Sequence, residues 1–125
     1  MTIAADELAI LRANTTAFIA ADYKDITLNR RTKEDDGAGG YTITEAPLAS
    51  AQRMRLIPLQ GNMSPLRETL DGEAVQPDYM LLAEWNADLL RGDSFADGNR
   101  RYQVVFVHEK SSYERKGEVK YLGEV

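Results

Sequence analysis

The sequence predicts a mainly β chain, a small β-barrel or sandwich with an added N-terminal helix and a long inserted loop. Three observations carry this. Only residues 3–21 show a helical period, most of the remainder alternates apolar with polar residues, and glycine-rich turns punctuate the alternation. At 125 residues the chain is the size of one domain. Its expected division is a helix over 1–22 and a barrel over 23–125, with the inserted loop at about 58–76.

In the helix, Ala4, Leu8, Leu11, Thr15 and Phe18 recur at steps of four and three and share one face. Thr2 suits the N-cap, and Asp6 and Glu7 suit the positive end of the helix dipole. The alanine-rich surface flanked by Leu8, Leu11 and Phe18 fits packing on the chain's own barrel or on a neighbouring subunit.

From Asp25 the period becomes two. Residues 25–30 (DITLNR) read as a strand with Ile26 and Leu28 inward, and 31–40 (RTKEDDGAGG) as a mobile loop or hairpin tip. Residues 41–45 (YTITE) are the return strand. Residues 48–59 form a strand with Met54 and Leu56 on one face and Arg53 and Arg55 on a wet, basic one. Residues 61–76 (GNMSPLRETLDGEAVQ) interrupt the alternation. Ser64-Pro65 predicts a short helix start and Asp71-Gly72 its stop, in an excursion longer than a hairpin needs.

Residues 77–85 (PDYMLLAEW) return to strand, with Tyr79, Leu81, Ala83 and Trp85 on one face. A meander follows: a turn at 89–93, a short strand at 94–96, a tight turn at Asp97-Gly98-Asn99, and a strongly β-prone strand at 100–108. After a turn at 110–113, residues 118–122 make the final strand, with Val119 and Tyr121 on one face.

Composition narrows the function classes. No apolar run approaches the roughly 20 residues that span a bilayer, mean hydropathy is -0.42, and the N-terminus lacks the basic start of a signal peptide. The absence of cysteine excludes disulfide scaffolds, thiol catalysis and Cys-based metal sites, and a single histidine, His108, excludes His-rich metal centres. The net charge of -5 argues against a protein that grips nucleic acid, though it is compatible with one that surrounds DNA and lets it slide.

No catalytic constellation is legible. His108 lies late in a strand beside Glu109, with no nucleophile–base arrangement around it. Glu34, Asp35 and Asp36 lack EF-hand spacing and read as a solvated cluster, and Gly37, Gly39 and Gly40 have no Walker lysine. Arg53, Arg55 and Arg67 are the positive features near the excursion, suited to DNA phosphates, to a neighbour's acidic face, or to no special task. The expectation is a protein that is not an enzyme, with no catalytic, cofactor or metal residues.

The order of these segments carries a resemblance. An alternating strand (DITLNR) precedes a Gly-rich hairpin (EDDGAGGYTIT), a strand ending in Pro (RMRLIP), a polar excursion and a strand (DYMLLAEW). The chain closes with L-x-x-GD-x-F-x-DG-x-x-Y-x-V, met at Arg91-Gly92-Asp93-Ser94-Phe95, Asp97-Gly98 and Tyr102-Gln103-Val104. Over about residues 25–125 this resembles the head-closure or head-to-tail connector proteins, the stoppers, of tailed bacteriophages with long tails. The N-terminal helix is an addition to the shorter members.

The resemblance implies a structural virion protein of the neck, made in the bacterial host cytoplasm and free of membrane. It would form a homo-oligomeric ring between portal or adaptor protein and the tail terminator or tail tube proteins, closing the DNA channel and joining head to tail. Packaged double-stranded DNA would pass the lumen with weak non-specific contact. Carried over by position, the channel loop contains Pro58, Met63, Leu66, Arg67, Glu68, Leu70, Asp71 and Glu73. Leu8, Leu11, Phe18, Asp36, Gly39, Tyr41, Arg53 and Arg55 are the expected subunit or neck-protein interface. The competing readings are another neck ring protein, such as a tail terminator or tail-completion protein, and a small cellular β-barrel binding module.

Overall fold

A computed structural model describes residues 4–59 and 65–124. Thr2, Ile3, Met63 and Ser64, which figure in the expected helix cap, channel loop and excursion helix, lie outside the described residues. One helix, α1 (Ala5–Ala20), precedes ten strands: β1 (Lys24–Ile26), β2 (Asn29–Asp35), β3 (Tyr41–Pro47), β4 (Gln52–Pro58), β5 (Arg67–Glu68), β6 (Ala74–Val75), β7 (Tyr79–Glu84), β8 (Ser94–Asp97), β9 (Arg100–Val107) and β10 (Glu114–Glu124). Eight of them form one curled antiparallel sheet in the order β1-β4-β7-β10-β9-β8-β2-β3, while β5 and β6 pair as a separate ribbon. The mainly β class, the small half-barrel and the N-terminal helix agree with the sequence.

The concave face holds the core. Ile26, Leu28, Met54, Leu81, Leu89 and Val119 are all at most 1% exposed, and they enclose an aromatic group. Tyr102 stacks on Phe95 at 5.0 Å between centroids, with Tyr79 edge-on and Tyr121 tilted, each at 5.6 Å. The sheet curls partly because its ladder is irregular. Val105 is one extra residue on β9 and Leu122 one on β10, and such bulges raise local twist. Lys24 of β1 reaches Asp97 of β8 at 2.8 Å, so the curl brings these two strands close.

Several boundaries differ from expectation. Residues 31–35 are strand, not loop: the cross-strand hydroxyl pair Thr32–Thr44 at 2.7 Å and the Lys33 ammonium over the Tyr41 ring support a longer hairpin than glycine content suggested. The turn is confined to residues 36–40, where Asp36 Oδ1 accepts from the Ala38 and Gly40 amides and Asp35 Oδ1 from Gly37. Asp35 and Asp36 are therefore turn-formers. The final strand begins at Glu114, four residues before the expected start at 118.

The excursion has no helix among its described residues. It is a β5–β6 ribbon with Arg67 opposite Val75 and Glu68 opposite Ala74. Its turn is closed by Thr69, which exchanges backbone bonds with Glu73 and Gly72 and caps the Glu73 amide through its hydroxyl. Pro65 and Asp71-Gly72 suit a helix locally, but this ribbon docks on the barrel, and tertiary contact decides over propensity for so short a segment.

Candidate functional site

The convex face of the barrel carries two structures. On β4, β7 and β10 lies α1, with Leu11, Thr15 and Phe18 opposite Ile57, Met80 and Leu82 around a groove of about 450 Å3. The buried seam is Thr15 and Ile19, so Ile19 belongs to the packing face that the sequence pattern assigned to Phe18; Phe18 is 46% exposed. The expected wet face of β4 is also partly covered. Arg55 donates to the Phe18 carbonyl at 2.9 Å and lies 4.0 Å over its ring, satisfying a helix C-terminal acceptor, while Arg53 lies over Tyr23. Arg12 donates to the Ser112 carbonyl and lies 3.8 Å over Trp85, which turns away from the core just past β7. Ala4, at the N-cap, offers no side-chain cap.

On β9 and β10 lies the ribbon. Pro58 ends β4 opposite Tyr79, the first residue of β7, so these strands are direct neighbours. A hairpin would join them in a few residues, yet 59–78 intervene. The excursion is tied down by Arg67, whose Nε and Nη2 donate to the two Glu118 carboxylate oxygens at 3.0 and 2.8 Å. The guanidinium also lies 3.6 Å over the Phe106 ring. Glu118 is 2% exposed, and His108 Nε2 approaches its Oε2 at 2.7 Å. This nitrogen is itself buried and makes no hydrogen bond among the described residues.

The tip of the excursion reaches the corner that supports the hairpin. Gly92 has φ +95°, and a Cβ there would stand 2.2 Å from Leu70 Cδ1. Asp71 lies 3.4 Å from Arg31. A cleft of about 330 Å3 opens between Leu70 and Asp71 on one side and Lys33, Tyr41 and Ile43 on the other. Beside Gly92, the buried Asp93 accepts two bonds from Arg30 at 3.0 and 2.8 Å and one from the Leu90 amide. Asp93 and then Asp88 hold Arg30 above its ordinary guanidinium value, against the opposing effect of burial.

The structure thus joins Arg67, Leu70 and Asp71 of the expected channel loop to the barrel. Leu66 is 65% exposed, and Pro58, Glu68 and Glu73 are exposed. Asp36, Gly39 and Tyr41 are exposed at the far end of the hairpin, remote in sequence from the helix residues Leu8 and Leu11, which are half-buried. Glu118, His108 and Asp93 are anchors that the sequence pattern does not single out. An isolated Glu in a strand (Glu118) carries no signal of burial, and the GD corner was legible as a turn without revealing that its carboxylate holds Arg30.

No metal-binding group of three or more His, Asp or Glu occurs among the described residues, and no helix among them is long and apolar enough to cross a membrane. Comparison with models of protein families and with characterised proteins returns no match.

Proposed function

We propose that this chain is a structural ring protein of the tailed-phage neck, a head-to-tail stopper that joins a portal or adaptor above to tail proteins below. The observation that carries the reading is the excursion between β4 and β7. Two strands that are direct neighbours are joined by a lobe that docks on the barrel, with the buried Arg67–Glu118 ion pair among its anchors. That is the architecture expected of a segment with a docked and an extended position. Such a segment needs an anchor that can be exchanged, because a two-position element requires only a few kcal/mol between its states.

In a ring, each copy presents the same lobe toward the same axis, and symmetry multiplies a weak contact. Exposed Leu66 supplies apolar contact, while Glu68, Asp71 and Glu73 supply negative charge that opposes DNA adhesion. In this reading the described ribbon is the docked position, and channel closure requires release of Arg67 from Glu118. The protein acts in the virion and no catalysis is assigned to it.

Electron cryomicroscopy of the neck of intact particles tests the reading. A ring between portal adaptor and tail, with residues 58–76 at the lumen, is the expected result. A ring with those residues outward would remove the gating mechanism and retain the joining role. Absence from the neck overturns the reading.

A further inference from the structure

The β2–β3 hairpin is an arm with two unpaired edges. Asp36 donates to the Gly40 carbonyl and Leu48 to the Leu28 carbonyl, so the even-numbered pairs carry the internal ladder. The odd residues therefore point their backbone groups away from the hairpin: Tyr41, Ile43 and Glu45 on β3, and Arg31, Lys33 and Asp35 on β2. Pro47 falls in the odd set, where a missing N–H costs the hairpin nothing. β8 covers β2 only at Asn29, through Ser94, and no other strand among the described residues pairs with either edge. All seven residues of β3 are exposed, as are Thr32, Lys33, Glu34 and Asp35 of β2.

A two-stranded ribbon without a core is marginal by itself, and an exposed edge is a template for another strand. The two edges differ in character. β2 is densely charged, whereas β3 offers Tyr41, Ile43 and two threonines with a single carboxylate.

We infer that β3 of one copy pairs with β2 of the next, so that the arms form a continuous antiparallel sheet around the assembly. Repeating the hairpin's own register between copies sets Glu45 opposite Arg31, Ile43 opposite Lys33 and Tyr41 opposite Asp35 of the following copy. It pairs Glu45 with a cation and repeats the stacking of the Lys33 stem and ammonium on an aromatic–aliphatic strand. Like-with-like pairing of β2 would oppose two Lys33 residues, and like-with-like pairing of β3 would leave every β2 edge open. A head-to-tail contact uses both edges and closes when the rotation between copies permits. The inference rests on the proposed ring for its closure; the pairing itself does not require the neck.

The cysteine-free chain permits a direct test. Lys33→Cys and Ile43→Cys are made as separate single variants and oxidised alone and mixed at high protein concentration. Cα atoms of a hydrogen-bonded antiparallel pair stand about 5.5 Å apart, within disulfide range. The expected result is a mixed disulfide formed at least tenfold faster than either homodimer. A dominant Ile43→Cys homodimer would establish a two-fold pairing and overturn the inference, as would equal rates in all three reactions.

Ile43→Pro provides the second readout, since it removes an outward N–H and leaves the internal ladder intact. It should lower association at least tenfold in sedimentation analysis with unchanged circular dichroism. Unchanged association sinks the arm pairing. Location of the chain in the neck is decided independently, so rings in the neck without the mixed disulfide would discard only this inference.

Discussion

Arg67 grips Glu118 with both arms of its guanidinium while lying flat on Phe106, and that contact crosses from the excursion to the barrel wall. The carboxylate is 2% exposed, so removing the cation takes away its bidentate partner and leaves a buried charge beside His108. Losing one member of a buried pair costs about 3–5 kcal/mol when nothing relaxes. Arg67→Met is therefore expected to destabilise by up to about 3 kcal/mol, because opening of the lobe lets water reach Glu118. Hydrogen exchange should rise across residues 65–76 well before the core strands. Arg67→Met/Glu118→Gln should recover part of the loss. An exchange pattern identical to that of the parent would show that Arg67 is not the anchor.

Gly92 has two reasons to be glycine, and they separate experimentally. Its φ of +95° strains any side chain, and its Cα faces Leu70 closely enough to put a Cβ within 2.2 Å. Gly92→Ala should cost about 1–3 kcal/mol from backbone strain and overpacking together. In the Gly92→Ala/Leu70→Ala double variant, the steric part should vanish and the backbone part remain. The melting temperature of the double variant should accordingly lie above the value expected if the two single losses simply added. Strict additivity would mean that Leu70 does not pack on Gly92 in solution.

Much of this framework was legible in the residues and some was not, for physical reasons. Ile26, Leu28, Met54, Leu81 and Val119 announce themselves by period-two alternation against a buried face, and all are core. Gly98 predicts the β8–β9 corner because its φ of +62° fits the first position of a two-residue turn. Ser64-Pro65 and Asp71-Gly72 suit the start and stop of a helix, yet residues 67–75 pair as a ribbon because a segment so short takes its form from what it docks against. The anchors escaped for a related reason: whether Glu118 meets water or Arg67 depends on a residue 51 positions away. Phe18 and Ile19 are adjacent and equally apolar, and only the seating of α1 on the barrel distinguishes them.

That seating yields an opposed pair of expectations. Ile19 is 1% exposed beneath α1, whereas Phe18 is 46% exposed at the groove rim under Arg55. Ile19→Ala should lose about 2–4 kcal/mol through lost transfer energy and a cavity, and Phe18→Ala less than about 1. Urea denaturation of both variants measures the contrast. Equal losses would mean that Phe18, as the spacing of the sequence suggests, packs as tightly as Ile19.

The aromatic core also fixes a pH response. Tyr102 is 1% exposed, and burial pushes its phenol above the ordinary tyrosine value, with Arg100 opposing the shift. The Lys24 ammonium is likewise raised, chiefly by its hydrogen bond to Asp97. Both groups hold protons more tightly in the folded chain than in the unfolded one. Stability is then fully present below the unfolded values, near pH 10 for tyrosine and slightly higher for lysine, and falls as pH rises through the folded ones. The Lys24–Asp97 side chains are 41% and 38% exposed, so solvent screening makes Tyr102 the larger contributor. Denaturation midpoints should be flat with respect to these two groups between pH 7 and about 9.5 and decline beyond pH 10. Tyr102→Phe should lessen that alkaline decline, with little of the difference carried by Lys24→Met. A decline of equal steepness in Tyr102→Phe would assign the alkaline loss to the other tyrosines and lysines.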